Sequence, residues 1–130
     1  MRNRRLLTFL LAFHLLGVLA SPALTQTSAS GSECANAETT AAMRACENAR
    51  YLRAEKDLDA AYKELMKRLD NTQREKLRLV QRAWLRFRDA DADFQADTAR
   101  GGTLGPLLRV AALADLTEAR TAELRKSLGP

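Results

Sequence analysis

The stretch LRLVQRAWLRFRDADADF, residues 77–94, decides the fold class of this 130-residue chain. It contains neither glycine nor proline, and its apolar residues recur at alternating steps of three and four, the period of an amphipathic α-helix. The spacing predicts a helix over about residues 73–98, whose inner face includes one polar residue. That face comprises Leu77, Val80, Trp84, Phe87, Asp91 and Phe94.

A long helix is also predicted before this stretch, over residues 41–69, which contain no glycine or proline. Thr39 or Thr40 is expected to cap its N-terminus. The helix is expected to stop at Asp70, and Thr72 with Glu75 is expected to form the capping box of the next helix. Its predicted inner face comprises Tyr51, Ala54, Leu58, Ala61, Tyr62, Leu65 and Leu69.

After residues 99–105 break the pattern, Pro106 suits the first position of a third helix that runs to about Lys126. Aromatic residues are only 5% of the chain, which argues against an all-β fold. The sequence therefore predicts an all-α antiparallel bundle of three helices, a long helical hairpin plus a third helix. The predicted inner face of the third helix comprises Leu108, Ala112, Leu116, Ala119 and Leu124.

The N-terminus predicts an export signal. Three arginines precede an uncharged apolar run over residues 6–20, and small residues follow. We interpret residues 1–23 as a cleaved signal peptide, with cleavage after Ala20 or Ala29 as alternatives. The apolar run is shorter than the roughly 20 residues that span a bilayer, so no stable membrane anchor is expected after cleavage. No lipobox precedes Cys34, which favours a periplasmic or secreted product; residues 24–33 are a predicted flexible leader and residues 34–128 the helical domain.

Charge and composition exclude several functions. Cleavage removes three of the 21 basic residues and none of the 16 acidic ones, so the net charge falls from +5 to +2 and a nucleic-acid partner is not expected. His14, the only histidine, lies within the signal, which removes histidine-based catalysis and imidazole metal sites. No catalytic, metal-binding or cofactor-binding site is predicted, and the protein is not expected to be an enzyme.

Two cysteines, Cys34 and Cys46, remain in the exported chain and are expected to form a disulfide. Twelve residues of continuous helix would hold their Cα atoms about 18 Å apart, beyond the reach of a disulfide. The chain is therefore expected to turn between them, which places the disulfide at the N-terminal end of the bundle.

The second helix carries basic residues in its first half and acidic residues in its second half. This polarity opposes the helix macrodipole, so local stability does not explain it. It fits either a docking surface with patches of both signs or a solvated face whose charges pair with the first helix. The two sets are Arg78, Arg82 and Arg86, and Asp89, Asp93 and Asp97.

The run Leu-Arg-x-x-Gln-Arg-Ala-Trp-x-x-x-Arg-Asp-Ala, residues 77–90, resembles that of the LprI-type lysozyme-inhibitor family of small exported helical proteins. The resemblance covers about residues 34–128. It implies a periplasmic or secreted protein-binding module that inhibits lysozyme by non-covalent binding. The residues that match the family motif, in structural or partner-binding roles, are Tyr62, Arg78, Gln81, Arg82, Trp84, Arg88, Asp89, Thr117 and Arg120.

Two interpretations of these motif residues remain. Asp89, Asp93 and Asp97 are candidate partner-binding residues, because carboxylates would attract a basic lysozyme. Alternatively, the arginines at 78, 82 and 88 brace the bundle through ion pairs with Glu55 or Asp59. The competing function is a periplasmic interaction or scaffold protein of the cell envelope that does not inhibit lysozyme; the oligomeric state is not predicted.

The chain departs from the family pattern where a second cysteine pair is expected, since it has Ala92 and Ala112 there. The joint loss of both cysteines predicts that Ala92 on the second helix approaches Ala112 on the third. Without that cross-link the third helix depends on packing alone, so it is expected to be the more easily detached element.

Overall fold

In the computed structural model, which describes residues 34–129, the chain forms three helices. They are α1 (Thr40–Arg68), α2 (Asn71–Asp97) and α3 (Leu104–Lys126), and the described residues contain no strand. The predicted all-α fold is therefore confirmed. The signal peptide and leader predicted over residues 1–33 lie outside the described residues.

Side-chain caps begin α1 and α2, whereas α3 begins without one at Leu104, two residues before the predicted first position at Pro106. Thr39, not Thr40, caps α1, because its hydroxyl accepts a hydrogen bond of 3.1 Å from the backbone N–H of Ala42. The capping box predicted at Thr72 and Glu75 is wrong by two positions: Asp70 and Gln73 form it, each side chain accepting from the other's backbone N–H at 2.8 and 3.1 Å. The aspartate reaches the first free N–H groups of α2, so the helix starts earlier than expected.

The tightest interface in the bundle joins α1 and α3, which run parallel. Arg50, near the start of α1, donates a hydrogen bond to the carbonyl of Ala111, and Arg68 at its end donates to the carbonyl of Leu128. Helix α2 lies antiparallel to both, and Arg120 of α3 reaches back to Gln81 of α2. Consecutive helices are antiparallel, as predicted.

The face that α2 buries differs in part from the predicted one, since Leu77 and Trp84 pack on the core as expected but the other large apolar residues do not. Val80, Phe87 and Phe94 are 51%, 56% and 73% exposed, whereas the buried residues of α2 are Arg88 and Ala92. Arg88 follows Val80 by eight residues, which places it about 80° further round the helix axis. The helix is turned by roughly that angle because the small side chain of Ala92 packs directly on α3 while Arg88 fills the space toward α1.

Helix α3 also buries a wider face than predicted. Ala112 and Leu124 are buried as expected, but Leu108 and Leu116 are only half-buried and Ala119 is exposed. The packing argues against the expectation that α3 is the more easily detached helix, because α3 contacts both neighbours and is the most deeply buried of the three; limited proteolysis would test it. Its buried residues are Gly105, Leu107, Val110, Ala112, Leu113, Ala114, Thr117, Thr121 and Leu124.

The core is divided into two clusters. Near the connection between α1 and α2, which we call the closed end of the hairpin, four residues pack together: Leu58, Ala61, Leu65 and Leu124. The inner face predicted for α1 is therefore confirmed. In the other half of the bundle, Ala92 of α2 packs with Ala112 and Leu113 of α3. The predicted approach of Ala92 to Ala112 is confirmed.

The disulfide between Cys34 and Cys46 is also confirmed, with a Cα–Cα distance of 5.7 Å. Cys34 lies in a short turn before α1, where its carbonyl accepts a hydrogen bond from the N–H of Ala37. The turn folds the lead-in back on the first turns of α1, as the spacing of the cysteines requires.

We expect the double substitution Ala92→Cys with Ala112→Cys to form a second disulfide and to raise the free energy of unfolding by about 3 kcal/mol, since it closes a loop of about 20 residues. Urea unfolding followed by circular dichroism measures the gain, and thiol titration measures the cross-link. Ala90→Cys with Ala112→Cys is the matched control, because Ala90 is exposed on another face of α2. Free thiols in both variants would contradict the close packing of Ala92 on Ala112.

Candidate protein-binding surface

Five residues of the sequence motif meet between the helices, and Arg88 lies at their centre. Its side chain is almost fully buried, and it forms ion pairs with Glu55 of α1 and, at 2.8 Å, with Asp89 of its own helix. Its guanidinium also lies over the ring of Tyr51, at 5.7 Å from the centroid. Arg88 therefore holds α2 against α1 through both charge and aromatic contacts.

Trp84 lies between two arginines. The guanidinium of Arg88 is 5.3 Å from its ring centroid and that of Arg120, from α3, is 5.9 Å away. Arg120 also donates a hydrogen bond of 3.1 Å to Gln81 and forms an ion pair with Glu123. Because the tryptophan also packs on the apolar cluster of α1 and α3, it links all three helices.

Arg88 and Tyr51 of this cluster keep their protonation states near neutral pH. Burial lowers the pKa of Arg88, but the hydrogen bond to Asp89 and the negative charges around it outweigh burial, so the pKa lies above its usual value. Burial raises the pKa of Tyr51, and the nearby carboxylates of Glu55 and Asp89 add to the effect against the opposing charge of Arg88. Neither group changes its protonation near neutral pH, so the cluster resembles a structural brace more than acid–base machinery.

A second buried arginine was not singled out from the sequence. Arg50 is 3% exposed and lies within 2.9 Å of Glu47, 2.6 Å of Asp115 and 3.6 Å of Glu118. Its burial could have been predicted from the sequence, because Arg50 precedes the buried Ala54 by four residues and shares its helix face. This network fastens the first half of α1 to α3.

The remaining motif residues do not join the cluster. Arg78 pairs with Glu75 on its own helix, Arg82 is exposed, and Asp59 pairs with Lys63. Of the proposed braces to Glu55 or Asp59, the structure therefore contains only the one from Arg88.

Two motif residues outside α2 belong to the interior. Tyr62 packs on the apolar cluster at the closed end of the hairpin. Thr117 is fully buried, and its carbonyl accepts a hydrogen bond from the hydroxyl of Thr121. Both positions contribute to packing, and Tyr62 remains partly exposed.

The three aspartates of α2 that the sequence offered as partner-binding residues are exposed, and each pairs with an arginine of this chain. Asp89 contacts Arg88, Asp93 contacts Arg109 of α3 at 2.7 Å, and Asp97 contacts Arg100 in the following turn. The acidic stripe is therefore partly neutralised. Its last two members border a groove of about 320 Å³ beside the turn that joins α2 to α3.

That turn, residues 98–103, is a compact exposed connection. Gly101 has a φ of +80°, a left-handed conformation that favours glycine. Arg100 projects from it with 79% of its side chain exposed. The turn and this groove, which is lined by two aspartate–arginine pairs, form one continuous surface at the end of the bundle opposite the hairpin connection.

The described residues contain neither a metal-binding group nor a membrane-spanning helix. Within residues 34–129, no three histidine, cysteine, aspartate or glutamate side chains form a group that would hold a metal ion. None of the described helices is long and apolar enough to cross a bilayer.

Comparison with protein families identifies the chain. A family model described as "Lysozyme inhibitor LprI" matches residues 32–124, which is most of the sequence and all three helices up to the last turn of α3. The chain belongs to the LprI family of lysozyme inhibitors. The matched LprI region contains the disulfide, the arginine and tryptophan cluster and the turn after α2.

A 70-residue region is 40% identical to an uncharacterized protein of Rhizobium meliloti (strain 1021). The match covers 54% of this chain and 45% of that relative, so the chain spans less than half of the relative's length. No solved structure matches the chain significantly. Within this LprI domain the most specific part of the motif is used to assemble the bundle, because Gln81, Trp84 and Arg88 all face other helices.

Proposed function

We propose that this protein is exported to the periplasm or beyond and inhibits lysozyme by non-covalent binding, without catalytic activity of its own. The observation that carries the proposal is the LprI family match over residues 32–124. The rigid bundle supports it, because its two arginine networks and disulfide hold an exposed end surface in a fixed shape. A preformed surface loses little conformational entropy when it binds.

The inhibitory surface that we assign combines the turn over residues 98–103 with the carboxylates of Asp93 and Asp97. Glycoside hydrolases that cut the cell wall use two carboxyl groups in a cleft, so a cation on a narrow projection is complementary to that cleft. Arg100 supplies such a cation at the turn. The aspartates beside it would face the basic rim of the enzyme and speed the encounter.

A cell-wall lysis assay with a c-type lysozyme tests this proposal, with the oxidised chain from residue 24 onward titrated in at low and moderate salt. We expect saturable, roughly stoichiometric inhibition that weakens as salt rises. Arg100→Ala is expected to raise the concentration for half-inhibition about tenfold, which corresponds to about 1.4 kcal/mol.

Lys63→Ala is the matched control, because Lys63 is similarly exposed and pairs with an aspartate on its own helix, as Arg100 pairs with the preceding Asp97. This variant is expected to inhibit like the parent. Equal inhibition by the parent and Arg100→Ala would move the inhibitory surface away from the turn.

The second candidate function is a scaffold protein of the cell envelope that does not inhibit lysozyme. The internal pairing of Asp89, Asp93 and Asp97 favours it, because paired carboxylates attract a basic enzyme less strongly. No inhibition at large molar excess would make the scaffold function the leading proposal.

A further inference from the structure

Helix α2 exposes a continuous apolar line, which we call the α2 seam, on the side turned away from α1 and α3. It consists of Val80, Ala83, Phe87, Ala90 and Phe94, all of them exposed. Two phenylalanines and a valine in a row are unusual on the surface of a small protein, where large apolar groups occur singly. Nothing in the described part of the chain covers this seam.

The spacing of the seam is that of a coiled coil. Its residues follow one another at steps of three, four, three and four, which are the a and d positions of a heptad. The seam is about 21 Å long, since fourteen residues separate its ends at 1.5 Å each. Large side chains alternate with alanines, so a second helix with the same alternation would interlock with it.

The charges beside the seam select the direction of such a partner. Arg86 flanks its first half and Asp93 flanks its second half, both at the g position of the heptad that begins at Val80. A parallel copy would place like charges together. An antiparallel copy places the basic half of each helix beside the acidic half of the other, which also gives a reason for a polarity that opposes the macrodipole.

We propose that two copies of this protein associate through their α2 seams, antiparallel about a twofold axis between Phe87 and Ala90. In this arrangement Phe87 packs on the partner's Ala90, and Arg86 lies beside the partner's Asp93, which it shares with the partner's Arg109. The symmetry makes each contact occur twice, as in other isologous dimers. The dimer does not require lysozyme inhibition, but it uses Asp93, which also belongs to the assigned inhibitory surface, so dimerisation and lysozyme would compete for that carboxylate.

The association is expected to be reversible. A single pair of helices meeting along the seam falls below the roughly 1,200 Å² of standard stable interfaces, so we expect a dissociation constant of about 10–100 µM. Sedimentation equilibrium of the oxidised chain from residue 24 onward, over a concentration series, measures it. Phe87→Glu is expected to leave a monomer, with an unchanged helical circular dichroism spectrum because Phe87 is exposed in the bundle.

A charge exchange tests the direction of pairing. Arg86→Asp places a second carboxylate beside the partner's Asp93, and Asp93→Arg places a second guanidinium beside the partner's Arg86, so each variant alone is expected to dimerise at least tenfold more weakly. An equimolar mixture of the two variants is expected to form a heterodimer as strong as the parent, because both contacts are again between opposite charges. The double variant carrying both substitutions is expected to dimerise as the parent does.

Three results would overturn the proposal. The first is a parent chain that stays monomeric up to about 1 mM, well above the expected dissociation constant. The second is a dimer that Phe87→Glu leaves intact, or a mixture of the charge variants no stronger than each alone. The third is protection of the seam only when lysozyme is added, which would assign it to the inhibitor interface.

Discussion

Replacing Trp84 with alanine is expected to lower the free energy of unfolding by about 3 kcal/mol, the low end of the range for removing a large aromatic side chain from a core. The side chain is partly buried among all three helices, and its loss also removes the two guanidinium contacts from Arg88 and Arg120. A domain of this size should melt roughly 12–24 °C lower as a result.

Thermal and urea unfolding followed by circular dichroism measure this effect. Phe94→Ala is the matched control, because it removes a comparable ring from the same helix and from the face that the sequence pattern predicted to be buried. Since Phe94 is largely exposed, its loss is expected to change stability by less than about 0.5 kcal/mol when measured at low micromolar concentration. Equal costs for the two substitutions would mean that α2 is rotated toward the predicted face.

Replacing Arg88 with alanine is also expected to cost about 3 kcal/mol, at the low end for breaking a buried ion pair. The substitution leaves Glu55 and Asp89 without their shared cation and opens space beside Tyr51 and Trp84. Both carboxylates are partly exposed and regain water, so the cost stays at the low end. Arg88→Lys is expected to recover only part of the loss, because an ammonium cannot bridge two carboxylates and stack on rings as a planar guanidinium does.

Arg82→Ala, at another arginine of the same motif, is expected to change stability by less than about 0.5 kcal/mol. A double-mutant cycle with Glu55→Gln then separates the interhelical ion pair from the stacking of Arg88 on the rings. A coupling energy near zero would show that the ion pair with Glu55 adds nothing to the stability of the bundle.

Much of the fold was predictable from local sequence. The absence of glycine and proline, the steps of three and four, and the break over residues 99–105 predict three helices within a few residues of their observed ends. The disulfide followed from the number of cysteines, whereas the contact of Ala92 with Ala112 followed from the family resemblance, which implies a cysteine pair at these two positions. The helices and the disulfide were predictable because the residues that determine them lie within the segments concerned. The contact between α2 and α3 was predictable because two positions differ from the family pattern together.

The orientation of α2 was not predictable from its own sequence. Two lines of residues run along the helix. Val80, Phe87 and Phe94 form the first line, and Trp84, Arg88 and Ala92 form the second. The first line is the more hydrophobic. The second line is buried because Glu55, which lies 33 residues earlier, compensates the charge of Arg88. Periodicity within a single helix contains no information about a partner on another helix. The starting point of α2 was missed for a similar reason, since Asp70 and Thr72 are both acceptable caps.

The parallel packing of α1 on α3 has a consequence for the order of folding. Helical bundles generally fold fast because most of their contacts join residues close in sequence, but here Arg50 reaches Asp115 across 65 positions. The α1–α2 hairpin buries few of its own groups, so it is a poor folding unit by itself. We therefore expect the contacts between α1 and α3 to form late, and a nascent chain to gain most of its stability only after α3 has been synthesised.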